Sequence, residues 1–146
     1  MVRMYTSEPI TSVKCSLSGE ETTRRLDMVT KAMQYTNIVS AAEAVSFARY
    51  LNVDMTQFFD LVTNAAGGSK MFNTLGLSMI KREEAVSSSA LTVDKIIDEL
   101  GGIVQEARDL YIPLNLATAA LNQYTLAQRR GRGGEAATSV IRVYES

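Results

Sequence analysis

The chain has 146 residues, which suffice for one domain with its own hydrophobic core and without a disulfide or structural metal. Its 15 basic and 16 acidic side chains give a formal net charge of -1, so there is no electrostatic reason to expect binding to nucleic acid or to an anionic membrane. The sequence contains no histidine, which excludes histidine-dependent triads and ordinary zinc sites of histidine and cysteine.

Other features that the sequence lacks limit the cofactors it can bind and the cellular compartment we expect. There is neither a Walker-type lysine loop nor a G-x-G-x-x-G motif, so we expect no dinucleotide-binding unit, no bound cofactor and no metal. The single Cys15 cannot form an internal disulfide, which favours a reducing compartment. Residues 1–18 lack the apolar stretch of a signal peptide, and no later segment is apolar over enough residues to span a bilayer. The sequence therefore predicts a cytoplasmic protein.

After an N-terminal arm of residues 1–18, the first predicted element is a long helix over residues 20–51. Ser18 followed by Glu21 resembles a capping box, and apolar residues then recur at three- and four-residue steps. Small side chains cluster over residues 37–47, where they would let another backbone approach closely. At about 1.5 Å per residue the helix is longer than a small domain is wide, so we expect a homodimer through this helix.

Capping residues mark the later helices. Asp54 with Gln57 and, further on, Thr92 stand where side chains can cap helix starts. Gly101 and Gly102 fall inside an apolar helical stripe, which suggests close approach of another backbone or a local bulge. No strand pattern occurs outside the arm, so we predict a single all-α domain over residues 19–146. Its remaining elements are predicted helices over residues 55–66, 71–80, 92–110, 114–130 and 135–144, a polar connection over 81–89 and a loop over 129–134.

Several short stretches occur in the order and spacing of one known family, namely residues 38–44, 67–72, 89–91, 102–104 with 112–114, and 140–144. Over about residues 26–144 the sequence resembles the C-terminal helical domain of the β-hydroxyacid dehydrogenases, which include 3-hydroxyisobutyrate and 6-phosphogluconate dehydrogenases. The branch acting on four-carbon sugar acids such as threonate is the most similar. The resemblance implies a helical bundle around one long helix, which supplies the dimer contact and one wall of the substrate cleft. It also implies that the nicotinamide cofactor sits on a preceding Rossmann domain, which this sequence lacks.

Two lysines that the resemblance leads us to expect are replaced. The catalytic lysine of the family lies sixteen residues before the glutamate of a Glu-Ala pair, and counting back from Glu43 places Asp27 there. A second lysine, which precedes an Asp-Leu pair near the cofactor, falls at or beside Asp98. The resemblance therefore implies a retained fold whose redox chemistry has been lost.

The predicted catalytic residues are Asp27, Lys31, Tyr35 and Asp98. The first three recur every four residues on one face of the long helix, where a desolvated carboxylate would act as a general base. Family geometry would bring Asp98, with Glu99, opposite that face. The alternatives are a solvated ion pair between Asp27 and Lys31, worth about 0.2 to 0.5 kcal/mol, and an exposed acidic pair on the later helix.

The predicted substrate-binding residues are Gln34, Gly68, Ser69 and Lys70. In the family the segment equivalent to residues 68–70 contacts the substrate carboxylate, and free amides at a helix start favour anions. The alternative is an ordinary capped turn.

Two functions remain open. The first is a cofactor-free enzyme or ligand-binding protein that carries out isomerisation, cyclisation or elimination on a small organic molecule. The second is an interaction module, or substrate-domain subunit, of an NAD(P)-dependent dehydrogenase whose Rossmann half is another chain. The change from lysines to carboxylates favours the first, because it indicates an altered site rather than an inert scaffold.

Overall fold

The computed structural model describes residues 18–83 and 91–145, and these form a helical bundle with no β-strand among them. The prediction of an all-α fold around one long helix is therefore confirmed. Most of the predicted N-terminal arm and most of the predicted polar connection lie outside the described residues. The elements are α1 (Gly19–Tyr50), α2 (Met55–Asn64), α3 (Lys70–Lys81), α4 (Val93–Asp109), α5 (Asn115–Ala127), a π-helical turn (Gln128–Arg132) and a 3-10 helix (Ala137–Val143).

Side-chain caps set the starts of the helices much as the sequence predicts. The Glu21 amide donates to Ser18 Oγ over 3.2 Å, and the Gln57 amide donates to Asp54 Oδ1 over 2.8 Å. The carboxylate of Glu21 accepts hydrogen bonds from Arg24 and Arg25, both on its own helix. The first helix thus begins with the Ser18 half of a capping box, while the Glu21 carboxylate forms local ion pairs instead of completing the box.

The middle of α1 is the centre of the bundle, where it packs against α3, α4, α5 and the 3-10 helix. The small side chains of Ala41, Ala42 and Ala48 are almost fully buried there. The Tyr124 hydroxyl donates to the Tyr35 carbonyl oxygen over 2.7 Å, which ties α5 to α1. The small residues are therefore covered by elements of the same chain. Ile38, Val45, Ile96, Leu100, Tyr124 and Val140 are the fully buried side chains at this centre.

The glycine pair in α4 does not have the role that the sequence suggests. The helix runs unbroken from Val93 to Asp109 through Gly101 and Gly102. A Cβ atom added at either glycine would have nothing within 4 Å. The prediction of a bulge or of close backbone approach is therefore wrong within the described residues.

The C-terminal region folds back on the start of α4. The α-helical path ends at Ala127, three residues before the predicted end, because Gly131 in the following π-helical turn has φ 81°. The Val93 amide then donates to the Glu135 carbonyl oxygen over 3.0 Å, and the Ala137 amide donates to the Leu91 carbonyl oxygen over 2.9 Å. These bonds hold the beginning of the 3-10 helix at the start of α4, and the 3-10 helix also packs against α1.

Arg49 connects three separate parts of the chain. Its guanidinium donates to the carbonyl oxygens of Met79 and Ile80 over 2.7 and 2.6 Å, and it pairs with Glu145 over 2.6 Å. The two carbonyls belong to the last turn of α3, where backbone oxygens lack the usual i+4 amide partners, and the Met79 carbonyl oxygen also accepts from the Arg82 amide over 3.3 Å. One side chain of α1 thus holds both the end of α3 and the C-terminal residues.

We expect Arg49→Gln to lower the free energy of unfolding by about 2 to 3 kcal/mol, because charged hydrogen bonds to half-buried acceptors are lost. Arg82→Gln is the matched control, since Arg82 is exposed and lies 3.6 Å from the same Glu145 carboxylate, and it should change stability by about 0 to 1 kcal/mol. Urea unfolding of the two variants measures the difference. Equal losses would contradict the connecting role of Arg49.

Candidate functional site

A charged cluster joins the first half of α1 to α4. Lys31 Nζ lies 3.0 Å from Asp27 Oδ2 and 3.4 Å from Glu99 Oε1. The Tyr35 hydroxyl donates a short hydrogen bond to the other oxygen of Glu99. Residues 27, 31 and 35 meet because side chains four apart lie on one helical face. These four residues are called the charged cluster below.

Burial differs sharply among the members of the charged cluster. The Asp27 side chain is 56% exposed, whereas Lys31 and Glu99 are 31% and 25% exposed. The hydrogen bond to Asp27 and the charge of Glu99 raise the pKa of the Lys31 ammonium. Burial, followed by the bond to Glu99, raises the pKa of the Tyr35 hydroxyl. Lys31 and Tyr35 therefore stay protonated at neutral pH, and the more enclosed carboxylate is Glu99 rather than Asp27.

Asp98 and Glu99 occupy different faces of α4. Asp98 is exposed, while Glu99 makes the contacts with Lys31 and Tyr35. Successive residues of a helix are rotated by about 100°, so only one of two adjacent carboxylates can face α1. The sequence analysis predicted Asp98 as a catalytic residue, and the structure brings its neighbour Glu99, rather than Asp98, into contact with Lys31 and Tyr35.

The segment at residues 68–70 forms the capped start of α3. Ser69 Oγ accepts from the Phe72 amide over 3.0 Å, and Lys70 is exposed. The Gly68 amide donates to the Ala65 carbonyl oxygen over 3.0 Å. A Cβ atom added at Gly68 would lie 2.5 Å from the Val62 carbonyl oxygen, so only glycine fits this turn without a backbone shift.

Gln34 lines a cavity of about 370 Å³ between α1, α3 and the 3-10 helix. This volume falls within the range of small-molecule sites. Thr138, on the far wall, is almost fully buried, and its Oγ1 has no hydrogen-bond partner among the described residues. Gln34 follows Lys31 by three residues, so both lie on the same side of α1. The other lining residues are Ile38, Met71, Thr74, Leu75, Ser78, Leu91, Ala136 and Ala137.

A second concavity, called the α1–α4 groove below, has a volume of about 550 Å³ and almost wholly apolar walls. Val29 of the groove and Asp27 of the charged cluster are two residues apart, about 200° around the helix, so the two features lie on opposite sides of α1. Arg25 and Glu106 stand at its rim as the charged members of its lining. The sequence did not predict it, because its far wall comes from residues 103–114. The apolar lining is Met28, Val29, Ala32, Met33, Ile103, Ala107, Leu110, Ile112 and Leu114.

Two classes of feature are absent from the part of the chain that the structure describes. In residues 18–83 and 91–145, no three His, Cys, Asp or Glu side chains come together in an arrangement that could hold a metal ion. None of the helices in these ranges has the length and apolar character needed to cross a bilayer.

Comparison with known proteins places these features in a family. A family model described as NAD-binding of NADP-dependent 3-hydroxyisobutyrate dehydrogenase matches residues 25–144. L-threonate dehydrogenase of Escherichia coli strain K12 is 33% identical over 108 residues, which cover 74% of this chain and 35% of that protein. L-threonate dehydrogenase of Cupriavidus necator strain H16 is 28% identical over 120 residues, which cover 82% of this chain and 39% of that protein.

A solved structure supports the same relationship. The crystal structure of 3-hydroxyisobutyrate dehydrogenase from Salmonella typhimurium superposes with a TM-score of 0.75 at 29% identity. The match covers 82% of this chain and 41% of that one. The chain thus spans well under half the length of the relatives that it matches.

We expect Gly68→Ala to lower the free energy of unfolding by about 1 to 3 kcal/mol, because the added methyl group meets backbone atoms that cannot move independently. Gly67→Ala is the control, since a Cβ atom there has nothing within 4 Å, and it should change stability by at most about 0.5 kcal/mol. Thermal or urea unfolding measures both variants. A larger loss for Gly67→Ala would show that the tight contact is not the cause.

Stability should also fall in alkali. A hydroxyl whose pKa is raised on folding stabilises the folded chain below its unfolded pKa, and this contribution is lost as the pH rises toward the folded pKa. For Tyr35 the loss begins near the ordinary tyrosine pKa of 10.0, and the raised pKa of buried Tyr124 acts in the same direction. Urea titrations should give steady stability from about pH 7 to 9 and a decline above about pH 10.

Replacing Tyr35 by Phe should make that alkaline decline shallower, because one of the groups that releases a proton on unfolding is gone. Tyr111→Phe, at a side chain that is 94% exposed, should leave the slope unchanged. An equal slope in the wild type and Tyr35→Phe would contradict the buried, protonated state of Tyr35.

Proposed function

This chain belongs to the 3-hydroxyisobutyrate dehydrogenase family as a helical domain, and we propose that it binds a small hydroxy acid and moves a proton on it without hydride transfer. The observation that carries the proposal is the neighbourhood of Lys31. This ammonium is held between two carboxylates, and Gln34, one turn further along the same side of α1, lines a cavity of suitable size.

The residues do not fit a nicotinamide cofactor. The resemblance puts one lysine at the position of Asp27 and a second at or beside Asp98, and both of these residues are exposed carboxylates. A dinucleotide carries negative charge on its diphosphate, so carboxylates at these positions repel it where lysines attract it. Hydride chemistry is therefore left out of the proposed mechanism.

Binding in this proposal starts with charge pairing. The substrate carboxylate pairs with the Lys31 ammonium, and the Gln34 amide orients the rest of the molecule in the cavity. Glu99 and Tyr35 act as positioning residues, because their hydrogen bonds hold Lys31 from the side of α4. A bound substrate also removes water from Asp27, which makes its carboxylate a stronger base.

The proposed chemical step is removal of the proton from the carbon next to the substrate carboxylate. The Asp27 carboxylate accepts this proton, and the Lys31 ammonium stabilises the negative charge that develops on the carboxylate oxygens of the substrate. Return of the proton to the opposite face of the same carbon gives isomerisation by inversion of that centre. Loss of an adjacent hydroxyl, which takes up the proton and leaves as water, gives elimination.

A second candidate is the substrate-domain subunit of an NAD(P)-dependent dehydrogenase that is completed by a separate nucleotide-binding chain. The specific observation in its favour is the match of residues 25–144 to a family model described as NAD-binding of NADP-dependent 3-hydroxyisobutyrate dehydrogenase. Reduced nicotinamide would then form only after such a partner is added. A cytoplasmic location is proposed for either candidate, from the single cysteine.

The names of the relatives supply two probes for the first candidate, L-threonate and 3-hydroxyisobutyrate. In deuterated buffer we expect the protein to exchange the C2 hydrogen of at least one of them, seen as loss of its proton NMR signal. Asp27→Asn and Lys31→Met should each slow exchange about 10²-fold, the usual size of a general-base contribution. Lys95→Met, at an exposed lysine of α4, is the matched control and should leave the rate unchanged.

Three results would count against the proposal. Exchange that persists in Asp27→Asn would show that Asp27 is not the general base. If neither probe exchanges its hydrogen and the NMR signals of Gln34 and Thr138 do not change, then the cavity does not bind these hydroxy acids and the proposed site is wrong. Hydride transfer by this chain alone would contradict both candidates.

A further inference from the structure

We propose that the cavity beside Gln34 selects a longer and more apolar hydroxy acid than the four-carbon acids in the names of the relatives, and that Thr138 hydrogen-bonds an uncharged oxygen at the far end of this ligand. This ligand class rests on the proposed function, since Lys31 is taken to bind the carboxylate. It adds to that function a kind of substrate and a specificity-determining residue.

The walls of the cavity are uncharged and mainly apolar. Large apolar side chains come from α1, from α3 and from the segment before α4, and they are Ile38, Met71, Leu75 and Leu91. Within the described part of the chain, no Asp, Glu, Lys or Arg side chain lines the cavity. A ligand with many hydroxyl groups would leave most of them without hydrogen-bond partners, which is unfavourable. The walls therefore suit an apolar ligand body.

The volume of the cavity exceeds what the body of a four-carbon acid fills. One water molecule takes up roughly 30 Å³ in the liquid, so about 370 Å³ has room for on the order of a dozen non-hydrogen atoms. Lys31 is not part of the lining, so a carboxylate held there leaves this room to the rest of the ligand. A chain of roughly eight carbons uses the space better than a chain of four.

Thr138 supplies a polar group on the far wall. The residue is 7% exposed, and its Oγ1 has no hydrogen-bond partner among the described residues. Because no such bond holds the present rotamer, rotation about χ1 can exchange the positions of the hydroxyl and the methyl group and turn the hydroxyl toward a ligand. A buried hydroxyl without a partner is unfavourable, so a ligand oxygen that pairs with it is favoured.

The ligand oxygen that meets Thr138 is uncharged. A hydroxyl group both donates and accepts, so it can pair with an alcohol or a carbonyl group. A second carboxylate would be buried there without a counter-charge, which is strongly unfavourable. Thr74, on the α3 wall, offers no equivalent group, because its Oγ1 already donates to the Lys70 carbonyl oxygen over 2.8 Å.

Calorimetric titration with straight-chain 3-hydroxy acids of four, six and eight carbons tests the length of the ligand. We expect each added CH₂ group to tighten binding roughly fourfold, the equivalent of about 0.8 kcal/mol of buried apolar surface. The eight-carbon acid should therefore bind on the order of 100-fold more tightly than the four-carbon acid. An affinity that does not rise with chain length would overturn the proposed ligand class.

The eight-carbon acid with a second hydroxyl at its far end tests Thr138. Thr138→Val should weaken binding of this dihydroxy acid about tenfold and leave binding of the monohydroxy acid unchanged, whereas Thr138→Ser should retain the wild-type preference. Thr74→Val is the matched control and should change neither affinity. Urea unfolding should show that Thr138→Val is at least as stable as the wild type, because the lost hydroxyl has no partner in the described chain. Equal effects of Thr138→Val on both acids would overturn the role of Thr138.

Failure of this ligand class and failure of the proposed function give different results. Tighter binding of longer acids without exchange of their C2 hydrogen would support the ligand class and contradict the proposed chemistry. Exchange with the four-carbon probes, and no gain from longer chains, would support the chemistry and overturn the ligand class. Binding of the eight-carbon acid that is unchanged in Lys31→Met would overturn both, because the carboxylate would then lie elsewhere.

Discussion

Burial of the middle of α1 is the constraint on which the rest of this structure depends. Ile38, Ala42 and Val45 are fully enclosed, and α3, α4, α5 and the 3-10 helix contact this part of the helix. At about 25 cal/mol for each Å² of apolar surface, small side chains contribute little area themselves, but they let the neighbouring elements approach closely. The helix therefore acts as a shared core element, and its first half remains at the surface with both sides available.

The two sides of the first half of α1 differ in chemistry because titratable and apolar residues occupy different positions of the helical repeat. Positions 27, 31 and 35 carry titratable groups and turn toward Glu99, whereas positions 26, 29 and 33 are apolar and exposed. The resemblance implies a lysine at position 27, and this chain carries an aspartate there, so the charge at this point of the helix is reversed relative to that expectation.

Local features were predictable from the sequence, and features assembled from distant segments were not. The caps by Ser18, Asp54 and Thr92 involve residues three apart in sequence. The ion pair of Asp27 and Lys31 follows from helical spacing in the same way. The choice of Glu99 over Asp98 depends on the rotation of α4 relative to α1, which no local pattern fixes. The cavity needs walls from four separate segments, and the groove needs walls from two segments that lie about 70 residues apart in sequence.

The contacts of Arg49 also affect the order in which the chain can reach its final state during synthesis. The carbonyl oxygens at the end of α3 and the carboxylate of Glu145 share one guanidinium, although 65 residues separate Ile80 from Glu145. A ribosome makes the N-terminal part first, so α3 and α1 emerge long before the anion that neutralises this arginine. Until Glu145 has been synthesised, the half-buried Arg49 guanidinium lacks this counter-charge, so the contacts that join α1, α3 and residue 145 are completed late.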